Sequence, residues 1–139
     1  MKVFFDNCTA PVFAETLNAF IQRSGHSAQH ISSISDLPNG RKARDVEWIN
    51  FLRNSVDVWI FITGDGRVTK NPAERAALRS AGLHGFVLAP AYQTTPFNKV
   101  AAALLWRWPE IVKVTELLSA PTMHEIPIKT GTKLRQMPF

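Results

Sequence analysis

This chain of 139 residues holds one cysteine, Cys8. It can form no internal disulfide, which excludes a disulfide-stapled scaffold and agrees with a reducing compartment. No apolar run approaches the roughly 18 residues of a membrane span. The first residues carry one lysine and a short run broken by Asp6, unlike a signal peptide. A cytoplasmic protein without membrane association is therefore expected. His26, His30, His84 and His124 are scattered, with no ligand pair on a helix and no cysteine partner, which argues against zinc. A P-loop and a Gly-rich dinucleotide fingerprint are both missing. No histidine is placed to activate Cys8, so it reads as a packed thiol. Charged residues are 19% and hydrophobic ones 45% of the chain, a globular profile of one domain's length rather than a disordered or coiled-coil one.

The sequence does contain two apolar runs that each end in an aspartate: Val3-Phe4-Phe5-Asp6, and Val58 to Thr63 followed by Gly64-Asp65. Short runs of β-branched and aromatic residues bounded by turn formers suit strands buried on both faces, as in parallel sheets covered by helices. In an open α/β sheet, ligands bind beyond the carboxyl ends of the strands. Either aspartate alone can be a turn opener, but the pair points to a site. The glycines on both sides of Asp65 are expected to let the backbone approach a ligand.

Along the chain, Thr9 is placed to cap a helix from about Ala10 to Ser24, stopped by Gly25. A strand is expected over 26–31, then a loop from Ser32 to Gly40. A second helix has Asp45 at its N-cap or first turn and Trp48, Ile49 and Leu52 as its buried stripe. A strand over 56–63 precedes a helix opened by Asn71-Pro72-Ala73-Glu74, a cap with Pro in the first turn and Glu74 in capping-box position. That helix ends at Gly82. Phe86 to Ala89 form a short strand, and Pro96–Trp106 and Glu110–Leu118 read as two helices divided at Pro109. The segment from Thr122 is expected to be an edge strand followed by a mobile basic tail. The order fits a three-layer α/β/α sandwich with a mainly parallel sheet, a domain over 1–120 with residues 121–139 as its edge strand or tail.

Four acids, Asp6, Asp45, Glu47 and Asp65, are catalytic candidates. Clustered carboxylates repel one another unless a cation neutralises them, and oxygen-only ligands select hard ions, so Mg²⁺ or Mn²⁺ is the expected cofactor, held by Asp6, Asp45 and Asp65. Asp45 has the alternative reading of a helix cap, and Glu47 that of an exposed first-turn acid; as a site residue, Glu47 would be a base or supporting group. Asn7 and Thr63 are supporting candidates, Thr63 through a hydroxyl bond to Asp65. Sixteen Lys and Arg against eleven Asp and Glu give a net charge of +5. Arg41, Lys42 and Arg44 precede Asp45, while Arg67, Lys70, Arg75 and Arg79 follow Asp65. A carboxylate site with a cationic surround suits a phosphodiester bound through a metal, with Arg67, Lys70 and Arg75 steering an RNA backbone. An aspartyl-phosphate enzyme of the haloacid dehalogenase pattern would need a second Asp where Cys8 stands.

With VFFDN at Asp6, DVEWI at Asp45, ITGDGR at Asp65, and NPAERAAL leading through AGL to FVLA, residues 1 to 90 resemble the PIN-like nucleases, in particular the compact VapC-type toxins. The resemblance implies a metal-dependent endoribonuclease acting on single-stranded RNA, the toxin of a toxin–antitoxin pair, with a quartet of acids binding Mg²⁺ or Mn²⁺. Asp6, Asp65 and Asp45 match the family pattern by position. The fourth acid has no clear counterpart, because the next acid after Asp65 is Glu74, inside the capping box. The rival reading is a non-catalytic nucleic-acid or partner-binding module with a depleted acidic site. Residues 91–139 are left for a homodimer interface or an antitoxin-binding surface, with Leu104, Leu105, Trp106 and Trp108 as either exposed anchors or core.

Overall fold

The computed structural model describes residues 1–139. Its strands are β1 (Lys2–Phe5), β2 (Ser27–His30), β3 (Trp59–Thr63), β4 (His84–Leu88), β5 (Thr122–Ile126) and β6 (Arg135–Met137), and its helices are α1 (Pro11–Ile21), α2 (Asp45–Asn54), α3 (Pro72–Ala81) and α4 (Phe97–Leu117). They form one six-stranded sheet in the order β2-β1-β3-β4-β5-β6. All neighbours are parallel except β6, which runs antiparallel to β5.

Because successive strand residues face opposite ways, the apolar runs feed two cores. Val3, Phe5, Ile60, Ile62, Phe86 and Ile126 join Phe13 and Leu17 of α1 and Leu104 and Ile111 of α4. Phe4, Trp59, Phe61, Val87 and Met123 join Trp48, Ile49 and Leu52 of α2 and Leu78 of α3. This is a three-layer α/β/α sandwich with a mainly parallel sheet, as the sequence pattern implies. Gly85 serves the second core: a Cβ there would lie 2.2 Å from the Phe61 ring and 2.4 Å from the Met123 sulfur.

Several local expectations change. Ala10, not Thr9, precedes the first turn of α1, and the Thr9 hydroxyl instead donates to the Asp6 carbonyl at 2.8 Å. Strand β3 begins at Trp59 because Val56 and Val58 stay exposed. The C-terminal segment is neither an edge strand at Thr122 nor a tail: β5 is internal, and β6 closes that side of the sheet.

The two helices expected around Pro109 are one, with Pro109 inside it. Val100, Leu104, Trp108 and Ile111 form a buried stripe running through the proline. Burying large apolar side chains at about 1.5–3 kcal/mol each exceeds the cost of about 3 kcal/mol for an interior proline. The polar residues beside Pro109 fasten the chain between β5 and β6. Buried Arg107 donates to Glu110 at 2.9 Å and to the carbonyls of Lys129 at 2.7 Å and Pro127 at 3.3 Å, while Glu110 accepts the Leu134 N–H at 2.9 Å. Leu104 and Trp108 are thereby core, Leu105 is half-buried, and only Trp106 of the four candidate anchors is exposed, at 68%.

Since Pro109 is itself exposed, Pro109→Ala removes no packing and restores a helical N–H. The expected outcome is a gain of about 1–2 kcal/mol in urea denaturation, after allowing for the looser unfolded chain. Two separate helices in solution would instead make the substitution neutral or destabilising.

Candidate active site

Strands β1 and β3 are parallel neighbours, with Phe5 opposite Ile62, so their carboxyl ends meet at one sheet edge. Asp6 is the first residue past β1 and is buried. The Thr63 hydroxyl donates to one Asp6 oxygen at 2.5 Å, and the Cys8 N–H donates to the other at 3.1 Å. The same hydroxyl accepts the Asp65 N–H at 3.0 Å. Thr63 thus supports the carboxylate of Asp6, not that of Asp65. Gly64 answers a backbone constraint rather than a ligand: a Cβ there would sit 2.6 Å from the Cys8 carbonyl oxygen, whereas Gly66 has space around it.

Asp65 is held by its neighbour. Its carboxylate accepts the Arg67 backbone N–H at 2.9 Å and both faces of the guanidinium fork, Nε and Nη2, at 3.0 Å. The Arg67 side-chain bonds, with that backbone N–H, hold the Asp65 carboxyl below the usual carboxylate range. Arg67, expected to steer RNA, therefore neutralises an acid here. Lys70 is exposed and Arg75 half-buried. Asn7 donates to the Arg41 carbonyl and accepts from Arg41 Nε at 3.4 Å, tying the β1 exit to the basic loop.

Asp45 is the first residue of α2, after Arg44, and caps nothing: its carboxylate accepts Trp48 Nε1 at 2.8 Å. The Trp48 ring stacks on Phe4 with centroids 4.8 Å apart, so the core fixes where this acid sits. Glu47 does not join it. Asn39 at 2.8 Å and Arg44 at 2.9 Å take up its carboxyl in a separate polar groove and lower its pKa. Residues two apart on a helix face different ways, and the structure separates them accordingly.

Glu74 is the acid that sequence reasoning assigned elsewhere. Asn71 caps α3 by accepting from the N–H groups of Ala73 and Glu74. The Glu74 side chain, however, closes no capping box and faces Asp45. Burial, the Asp45 charge and hydrogen bonding with Asp45 raise its pKa, with Asp65 adding to the shift. A first-turn acid on a helix starting at this same edge, and the next acid after Asp65, was the available signal.

The electrostatics record an excess of negative charge. Burial, reinforced by the Asp45 charge, raises Asp6 to about 7 against the hydrogen bonds from Thr63, Cys8 and Gly64. Cys8 is exposed rather than the packed thiol expected; desolvation by the surrounding site and the charges of Asp6, Asp65 and Asp45 push its thiol up to about 11, which makes it a poor nucleophile. None of Asp6, Asp45 and Glu74 enters an ion pair. As the side chains stand, no three of the His, Cys, Asp and Glu residues lie close enough to hold a metal ion. The donor chemistry nevertheless fits a hard divalent cation: Asp6, Asp45 and Glu74 are carboxylates without an ion-pair partner, while Asp65 would be a further oxygen donor only if free of Arg67.

Residues 1–90 match the family described as PIN like domain. The chain belongs to that family. No curated protein matches it.

The raised pKa of Asp6 has a definite sign. Protonation is favoured by folding, so this contribution to stability is present below about pH 4, the unfolded value, and lost as pH rises through about 7. Asp6→Asn stays neutral throughout. Its stability relative to the parent should rise by roughly 2–4 kcal/mol between pH 4 and pH 8. A difference that is flat with pH in denaturant titrations would contradict the burial and crowding of Asp6.

Proposed function

We propose that this chain is a Mg²⁺- or Mn²⁺-dependent endoribonuclease that cleaves single-stranded RNA and acts as the toxin of a toxin–antitoxin pair. The observation that carries the reading is that the Asp45 charge acts on both Asp6 and Glu74 at one sheet edge, with none of the three ion-paired. PIN-like domains are commonly nucleases, and the chain's membership of that family supports the same chemistry. When bound, the cation would lower the pKa of a water and stabilise charge on the phosphate oxygens. The chain's own part is to hold the carboxylates in place: Thr63 and the Cys8 N–H orient Asp6, and Trp48 orients Asp45. Asp65 would serve as a further oxygen donor only when free of Arg67, and Arg67, Lys70 and Arg75 would then offer the RNA backbone a positive path. Trp106, exposed on α4, is the anchor left for an antitoxin or a second copy of the chain.

A second reading has its own observation. With Asp65 closed by Arg67 and no three acids within reach of one ion, the same fold can serve as a non-catalytic nucleic-acid or partner-binding module.

The two separate on one preparation. In the nuclease reading, Mn²⁺ at a hundred times its Kd stabilises the protein by about 2.7 kcal/mol, a shift of several degrees in Tm. Asp6→Asn and Glu74→Gln each abolish that shift and slow RNA cleavage about a hundredfold or more, and Asp6→Asn relieves growth arrest in cells. Glu47→Gln keeps both activities. Absence of both the Mn²⁺ shift and cleavage in the parent protein selects the binding module.

A further inference from the structure

A cleft of about 600 Å³ opens beside the acids, between the exits of β1 and β3 and the segment that leads from β4 into α4. Asp65 and Gly64 line it, so it begins where the acid site ends. Its apolar walls are Phe13, Leu88, Tyr92, Phe97 and Val100, its rim carries Arg41 and Arg67, and Gln93 adds an exposed amide. Three of its apolar residues, Tyr92, Phe97 and Val100, lie beyond residue 90, outside the family match.

Phe97 is unusual among these residues. It is the first residue of α4 and 61% exposed. Its ring stands edge-on to buried Phe13, with centroids 5.1 Å apart and planes at 68°. Phe13 braces the ring while much of it remains open to solvent. Tyr92, also in the lining, is buried and anchored, since its hydroxyl donates to the Pro127 carbonyl at 2.8 Å. A braced, open aromatic ring with cations at the rim is how single-stranded nucleic acid is held: bases stack on the ring and phosphates follow the positive charge.

We propose that this cleft is a base-binding subsite, in which the unpaired nucleobase next to the phosphate at the acid cluster stacks on Phe97. The inference rests on the nuclease reading for the position of the phosphate, but the stacking itself needs no cleavage. A cleft of this size admits one base and its sugar. A base held in a duplex cannot enter unless it leaves the stack. Arg41 and Arg67 lie where the flanking phosphates pass, and the Gln93 amide offers a donor and an acceptor to the base edge.

The test is fluorescence anisotropy of the full chain with fluorescein-labelled single-stranded oligouridine in EDTA, where no cleavage occurs. Phe97→Ala should weaken binding about tenfold, and Phe97→Tyr should bind within about twofold of the parent, because a ring is restored. Phe20→Ala, which removes an exposed aromatic of α1 outside the cleft, should change nothing. In a series of oligonucleotides with one abasic position each, one position should weaken the parent about tenfold and cost Phe97→Ala nothing further. Equal losses for Phe97→Ala on intact and abasic RNA, or no loss at all, would overturn the subsite and leave the cleft for an apolar segment of a protein partner. If the parent binds no RNA, both the subsite and the nuclease reading fall. If the stacking pattern holds but Mn²⁺ brings no cleavage, the subsite stands and the nuclease reading fails alone.

Discussion

The hydrogen bond from the Thr63 hydroxyl to the Asp6 carboxylate joins the ends of the two central strands, and the site depends on it. It exists because β1 and β3 are parallel neighbours in a register that sets Phe5 against Ile62. A parallel pair sends both chains out at the same edge, so an acid after one strand and a hydroxyl at the end of the other meet there. A shift of one residue in that register would turn Asp6 or Thr63 toward the opposite face. Gly64 completes the arrangement, since only a residue without a side chain lets β3 leave the sheet so close to the Cys8 carbonyl.

Around this link the protein accumulates negative charge and leaves most of it without a partner. Asp45 is fixed through Trp48 to the same aromatic core that holds Phe4 and Phe61, so packing places it and solvent cannot draw it away. Glu74 comes to it from α3. Burial and, after it, such crowding are costly for stability, and the raised pKa values of Asp6 and Glu74 register both. Asp65 is the exception. Its carboxylate is taken up bidentately by exposed Arg67.

Much of this was legible in the chain. The apolar runs ending at Asp6 and Asp65 named the two central strands and the edge on which chemistry would be sought, and DVEWI placed Asp45 at a helix start. What escaped was the content of side-chain geometry. Glu74 fits a capping box by spacing, and only the fold shows Asn71 capping alone while Glu74 turns to Asp45. Glu47 and Asp45 are indistinguishable in composition, yet the helix sends one to Arg44 and Asn39 and the other to Trp48. Pro109 reads locally as a boundary, and it is overridden by a buried stripe that only the tertiary structure assembles. Strand β6, three residues long and largely exposed, carries no periodic signal by which it could be found.

The central claim is that Asp6, Asp45 and Glu74 share one uncompensated negative site. Its most direct measurement is a pH titration of the side-chain carboxyl carbons by ¹³C NMR in metal-free protein, with Asp45→Asn for comparison. The account predicts that Asp6 titrates near 7 in the parent and at a lower pH once the Asp45 charge is removed, with Glu74 moving in the same direction. An Asp6 that titrates near 4 in both proteins, with Glu74 unmoved, would show that the carboxylates do not sense one another and would contradict the site.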